Sequence, residues 1–415
     1  MPRFVSVPAD AGLLALEWNR PLAEWSSKHL VALPRGISRH VVRFVRLNGQ
    51  VYALKEAPER YVLREANLLR ELQRLDVPAV EPVGVVLDRY TEDREPLDPI
   101  LLTRHLSYSL PYRAVFSRTL RSETVVRLVD ALAALLVRLH LAGFFWGDCS
   151  LSNTLFRRDA GAFAAYLVDA ETGELHDELS PGQRAYDLDI AHTNIFGELL
   201  DLQAGGYLSE DTDLLDLADT VVDRYQRLWA ELTEPEEFDE NELYRLERRI
   251  KRLNDLGFDV AELDIHTDID GQHIRIQPKV VDAGHHSRRL LRLTGLDVEE
   301  NQARRLLNDL DTFRAATQQQ YEDEEIVAHQ WLTEVFEPVI QAVPAELRGK
   351  LPAAEIFHEV LEHRWYRSEE AGHEIPLVEA ARSYAATVLR HRPDERERLP
   401  SADEMDSLVD SDLDA

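Results

Sequence analysis

An aspartate and an asparagine five residues apart, followed by a second aspartate after a short apolar run, constrain this chain more than any other feature. They stand in Trp146-Gly147-Asp148-Cys149-Ser150-Leu151-Ser152-Asn153 and in Leu167-Val168-Asp169-Ala170-Glu171. This order seats a base and two magnesium ligands in phosphoryl-transfer sites. Asp148 is the candidate base for an attacking hydroxyl. Asn153 and Asp169 offer the amide and carboxylate oxygens that hard magnesium prefers, and Glu171 is within reach of a second metal.

Two upstream residues extend the pattern. Val51-Tyr52-Ala53-Leu54-Lys55 reads as a strand presenting a lysine, the cation that meets the α- and β-phosphates of ATP. A lysine at the end of a strand is common, so Lys55 alone is equally a solvated edge residue. Glu65 adds weight, because Leu69 and Leu72 follow it at i+4 and i+7 and put an apolar stripe beside it on a helix. Such a helix packs on the sheet and aims Glu65 at Lys55. Glu71 is the rival for that role.

The 415 residues suffice for two or three domains with a real core, and the net charge of -29 sets the surface as a whole against nucleic acid and anionic membrane. The single cysteine, Cys149, excludes an intrachain disulfide and a cysteine-based zinc site. No apolar stretch is long enough to span a membrane and the N-terminus shows no secretory signal, so a cytoplasmic location is expected.

Along the chain, residues 1–29 read as an N-terminal extension. Residues 30–106 read as strands with one helix: Asn48-Gly49 signals a hairpin between Val41 to Leu47 and Val51 to Leu54, and Pro58 opens the helix. Residues 107–232 read as a larger helical lobe. Within it an apolar helix from Ser122 to Ala142 stops at Gly143 and leads into the Asp148 loop. Further helices are expected at Asp187 to Leu202 and Thr212 to Leu232. Acidic Thr233 to Asn241 is a boundary by composition.

Residues 242–395 then predict a mainly helical domain containing a β-hairpin. A basic helix runs from Tyr244 to Leu256, and alternating Ile265 to Ile269 turns at Asp270-Gly271 into Ile274 and Ile276. Helices follow at Val280 to Leu293, at Val298 to Ala316 with Asp297 and Glu300 as a capping pair, at Glu324 to Val343, at Ala353 to Trp365 and at Leu377 to Leu389. His358 and His363, five apart, lie about 140° apart around a helix and are rejected as a metal pair. Residues 396–415 form an acidic tail expected to be disordered.

From about Leu30 to Leu232 the chain resembles the protein-kinase-like fold, and within it the lipopolysaccharide-kinase and aminoglycoside-phosphotransferase branch. Leu139-His140-Leu141-Ala142-Gly143-Phe144-Phe145-Trp146-Gly147-Asp148 is similar to that family's approach to the catalytic loop. Gly182-Gln183-Arg184-Ala185-Tyr186-Asp187-Leu188-Asp189 is similar to the segment whose aspartate, here Asp187, braces the loop from below. The whole chain resembles an actinobacterial group in which such a domain precedes an uncharacterised C-terminal one. The fold class implied is α+β, a bilobal kinase-like domain followed by a mainly helical domain, with ATP and Mg2+ as cofactors.

The departures from the family pattern favour a non-protein substrate. Trp146 replaces the histidine two residues before the base, and Ser150 replaces the lysine two residues after it. About seventeen residues between Asp169 and Asp187 leave no room for a long activation loop. The phosphate-covering loop, Leu33-Pro34-Arg35-Gly36-Ile37-Ser38-Arg39-His40, has Gly36 alone. Backbone N–H contacts to the phosphates are then fewer, or are replaced by Ser38 and Arg39. The expected activity is phosphoryl transfer from ATP to a hydroxyl of a small molecule, sugar or glycolipid. The alternatives are a pseudokinase scaffold that binds a nucleotide, or a protein partner through the C-terminal domain, and nucleotidyl transfer by the same fold.

Overall fold

The computed structural model describes the chain except for residues 1, 7–10, 27–29, 32–39, 117–121, 235, 240–242, 256, 268–272 and 396–415. Contacts divide it into two units, the first comprising Met1–Phe156 and Ala165–Val222, the second Arg157–Ala164 and Asp223–Arg396.

In the first unit, β-branched and apolar alternation builds six strands: β1 Arg3–Val5, β2 Leu30–Val31, β3 Val41–Leu47, β4 Gln50–Glu56, β5 Pro82–Leu87 and β6 Ile100–Arg104. They pair antiparallel in the order β1-β5-β6-β4-β3-β2. Asn48 and Gly49 both take positive φ, 50° and 79°, the geometry of a tight turn that continues the strand twist. Helix α1, Glu59–Arg74, starts after Pro58 and buries Val62, Glu65, Ala66, Leu69 and Leu72, so a carboxylate sits within its apolar stripe. Residues ahead of position 30 complete this lobe. Leu13, Leu16, Trp18, Leu22 and Trp25 are buried with Val45, Leu54 and Ile100, and Trp18 meets Phe4 and Trp25 edge to face at 5.6 and 5.2 Å.

Helix α2, Ser122–Leu141, buries Leu128, Leu132, Leu135, Leu136 and Leu139. It ends at Gly143, whose φ is +76° and where a Cβ would stand 2.1 Å from the His176 carbonyl oxygen, so only glycine fits. The loop of Asp148 follows, then strands β7 Thr154–Asp159 and β8 Ala162–Leu167, and the Asp169 segment. Helix α3, Pro181–Ala204, opens with a capping box between Ser180 and Gln183, and α4 spans Leu214–Thr233.

In the second unit Glu236–Asp239, within the segment read by composition as a boundary, forms strand β9. After α5, Leu243–Asp255, the expected hairpin is present as β10 Phe258–Thr267 and β11 His273–Ala283, in a sheet of order β9-β11-β10. Asp270-Gly271 lies outside the described residues. Val280 belongs to β11, not to a helix; its β-branched neighbour Val281 pairs with Val260, and α6 starts only at His285 and ends at Thr294. Helix α7, Glu300–Ala316, is capped by Glu299 with Gln302, not by Asp297 with Glu300.

Glu300 instead pairs with His286 Nδ1 at 2.6 Å and accepts the backbone N–H groups of His286 and Ser287. Helices α8 Glu324–Trp331, α9 Glu337–Ala342, α10 Ala353–Ala371 and α11 Leu377–Thr387 complete the unit, with a π-turn at Leu332–Phe336. Leu306, Leu310, Trp331, Phe336, Phe357 and Tyr384 form the centre of its core.

The tip of the β7–β8 hairpin belongs to the second unit. There Asp159 accepts N–H bonds from the Asn301 and Gln302 backbones at 3.1 and 2.7 Å and from Asn301 Nδ2 at 2.8 Å, acting as an extra cap for α7. The Ala160 N–H donates to Glu355, and Arg158 meets Glu395 through two nitrogens.

Candidate active site

Strand β4 delivers Lys55, and α1 delivers Glu65 from its buried stripe. Lys55 Nζ lies 3.0 Å from Glu65, 2.8 Å from Asp169 and 3.0 Å from Glu171. Glu71 is outside this group, pairing with Arg74 at the surface. Glu171 also lies 3.0 Å from His40 Nε2, and Arg64 ties α1 to the Gly173 carbonyl.

One ammonium thus faces three carboxylates. Burial lowers the proton affinity of Lys55, but Glu65 and Asp169 outweigh it and push that affinity up. Burial first, and Asp169 next, push Glu65 up to about 8. Burial is the main reason and the neighbouring negative charge adds to it; a proton on Glu65 or an additional cation relieves both. Glu65, Asp169 and Glu171 place carboxylate oxygens within 4.8 Å of one another around Lys55, and Asp169 and Glu171 with the Asn153 amide are hard oxygen donors of the kind magnesium takes.

The Asp148 loop is held from below. Asp187, on α3, accepts the backbone N–H groups of Trp146 and Gly147 at 2.7 and 2.8 Å and meets His140 at 3.1 Å, with no exposure. Trp146 is fully buried and its indole N–H donates to the Asp169 carbonyl at 3.0 Å, so this departure from the family pattern ties the loop to the Asp169 segment. The Val168 N–H donates to the Asn153 carbonyl at 3.0 Å, which brings the two candidate metal ligands side by side. Asn153 Nδ2 donates to Asp148 Oδ2 at 3.1 Å and to its carbonyl at 3.0 Å. Cys149 is buried, and burial followed by the charges of Asp187 and Glu198 pushes its thiol up, which keeps it protonated.

A cleft of about 480 Å³ gathers His40, Asp148, Asn153, Asp169, Asn194 and Glu198. The residues expected around the phosphates, Gly36, Ser38 and Arg39, lie outside the described residues. Two of these members of the cleft, Asn194 and Glu198, escaped the sequence reading. His40, the last residue of the glycine-poor loop, was given no role there. Asn194 donates to Asp148 Oδ1 at 3.2 Å and to the Cys149 carbonyl at 3.1 Å. Glu198 accepts the Leu151 and Ser152 N–H groups at 2.6 and 2.9 Å. Asp187, Asn194 and Glu198 are spaced by seven and four, which puts them on one stripe of α3. That spacing was the available signal.

Residues 40–193 match the model of the lipopolysaccharide kinase (Kdo/WaaP) family, and residues 227–389 match a domain of unknown function, DUF4032. No curated protein matches the chain. Among solved structures, one titled WaaP in complex with acyl carrier protein is similar at 17% identity with a TM-score of 0.35, covering 55% of this chain and 89% of that one. The chain thus has an α+β N-terminal region, within which residues 40–193 match a kinase family model, followed by a mainly helical C-terminal region. No described helix is long and apolar enough to cross a membrane.

Proposed function

We propose that this chain is a magnesium-dependent phosphotransferase that moves the γ-phosphoryl group of ATP to a hydroxyl of a small molecule, sugar or glycolipid. The observation that carries this reading is the convergence of Lys55, with its three carboxylates, and the amide-held Asp148 on one side of the molecule's first unit. Lys55, steadied by Glu65, turns its charge toward the α- and β-phosphates. Asn153 and Asp169, with Glu171 beside them, would hold magnesium, which supplies the neutralising charge for the phosphates.

Asp148 takes the proton of the acceptor hydroxyl as that oxygen attacks the γ-phosphorus. The bond to the bridging oxygen breaks and ADP leaves with its electron pair. The test is to incubate the protein with ATP and magnesium against a panel of hydroxyl acceptors and weigh the products. A phosphoryl mass gain that needs Asp148 supports the reading, and an adenylyl gain transfers it to nucleotidyl chemistry. Nucleotide binding without ATP turnover or product, under conditions that keep the protein folded, would sink it in favour of a scaffold.

A further inference from the structure

Where related folds carry a lysine two residues past the base, this chain has Ser150, whose hydroxyl lies 3.2 Å from Ser152 Oγ and accepts the Asn153 N–H. Amides hold the base instead. Asn153 reaches Asp148 Oδ2, while Asn194 reaches Oδ1, so each carboxylate oxygen takes one amide hydrogen. Asn194 comes from a different element from Asn153, and its helix is fixed to the loop on both flanks of Asp148. Asp187 holds the Trp146 and Gly147 N–H groups before it, and Glu198 holds the Leu151 and Ser152 N–H groups after it.

We propose that Asn194 is the positioning residue of this site, fixing the Asp148 carboxylate in the rotation that faces the acceptor hydroxyl. The inference rests on the reading of Asp148 as base. A neutral amide donor orients the carboxylate through its hydrogen bond to Oδ1. The other ionisable groups lining the cleft are His40, Asp169, Glu198 and Asp201.

The test uses the full chain. Turnover is followed as magnesium-dependent ATP hydrolysis with water as acceptor, beside nucleotide binding read from the melting shift with ATP and magnesium. In Asn194→Ala, kcat falls roughly tenfold with KM for ATP and the melting shift nearly constant. Asn194→Asp, of the same shape but without the amide hydrogens, lowers kcat at least as far. A kcat that stays in place in both variants, or a loss shared by KM and the melting shift, overturns the proposal. Wild-type hydrolysis in Asp148→Asn would instead remove the base reading, and with it the role assigned to Asn194.

Discussion

Both units bury acidic side chains, and they balance them in different ways. In the second unit, fixed donors match the buried acids: Asp159 has three N–H groups, Glu395 has Arg158, and Glu359 has the Tyr384 hydroxyl and Arg392. In the first, Glu65, Asp169 and Glu171 share one lysine. A buried carboxylate with its own backbone or arginine donors is explained by structure. A group of carboxylates that outnumbers the cations beside it among the described residues would suit a ligand that brings positive charge.

The largest effect tests the first half of that contrast. Asp148→Ala should lower turnover by about 10²- to 10⁴-fold while ATP with magnesium still raises the melting temperature. Asp169→Ala should abolish the ligand-induced stabilisation, about 2.7 kcal/mol at a hundred times the dissociation constant, read as a melting shift lost in the variant. A metal-dependent shift that survives in Asp169→Ala would break the comparison on this side.

Proton linkage sharpens it. Glu65 goes from an ordinary value of 4.5 to about 8 in the folded chain, so across that window the folded state holds a proton that the unfolded state has released. This contribution to stability is present below about pH 4.5 and is lost as pH rises toward 8. Glu65→Gln should flatten that fall in denaturant titrations run from pH 5 to 8.

In the second unit, Asp159→Ala should cost about 0.5 to 2 kcal/mol of stability through loss of the extra cap on α7, measured by urea unfolding. The smallest effect belongs to Glu71→Ala. Its pair with Arg74 is at the surface, and stability should change by less than about 0.5 kcal/mol with nucleotide affinity unchanged. A loss of nucleotide affinity there as large as in a Glu65 variant would reverse the choice between the two glutamates.

Much of this site was legible because its residues stand at fixed offsets within single elements. The loop from Asp148 to Asn153 is one turn of chain, and Glu65 betrays itself by sharing a helical stripe with Leu69 and Leu72. Asn194 and Glu198 share a helical stripe with Asp187, but that spacing alone assigns them no role, since a polar residue on a long helix reads as solvated until its neighbours in space are known. Their partners lie 46 and 47 residues away. Competition between signals explains the second unit's misreadings. The run from Val280, read as the start of a helix, was extended as strand by its partners in β10. Capping at Glu299 could be distinguished from Asp297 only by where the backbone turns helical.

The β7–β8 hairpin adds a constraint of timing. Its tip is made early in synthesis, yet the Glu355 carboxylate that receives the Ala160 N–H lies 195 residues later in the chain. At about 5 to 20 residues per second on the ribosome, the stretch between Asn153 and Asp169 waits on the order of 10 to 40 s for that partner. A nascent chain therefore carries the hairpin between Asn153 and Asp169 for that interval without this partner, and the final stage of assembly belongs to the C-terminal half.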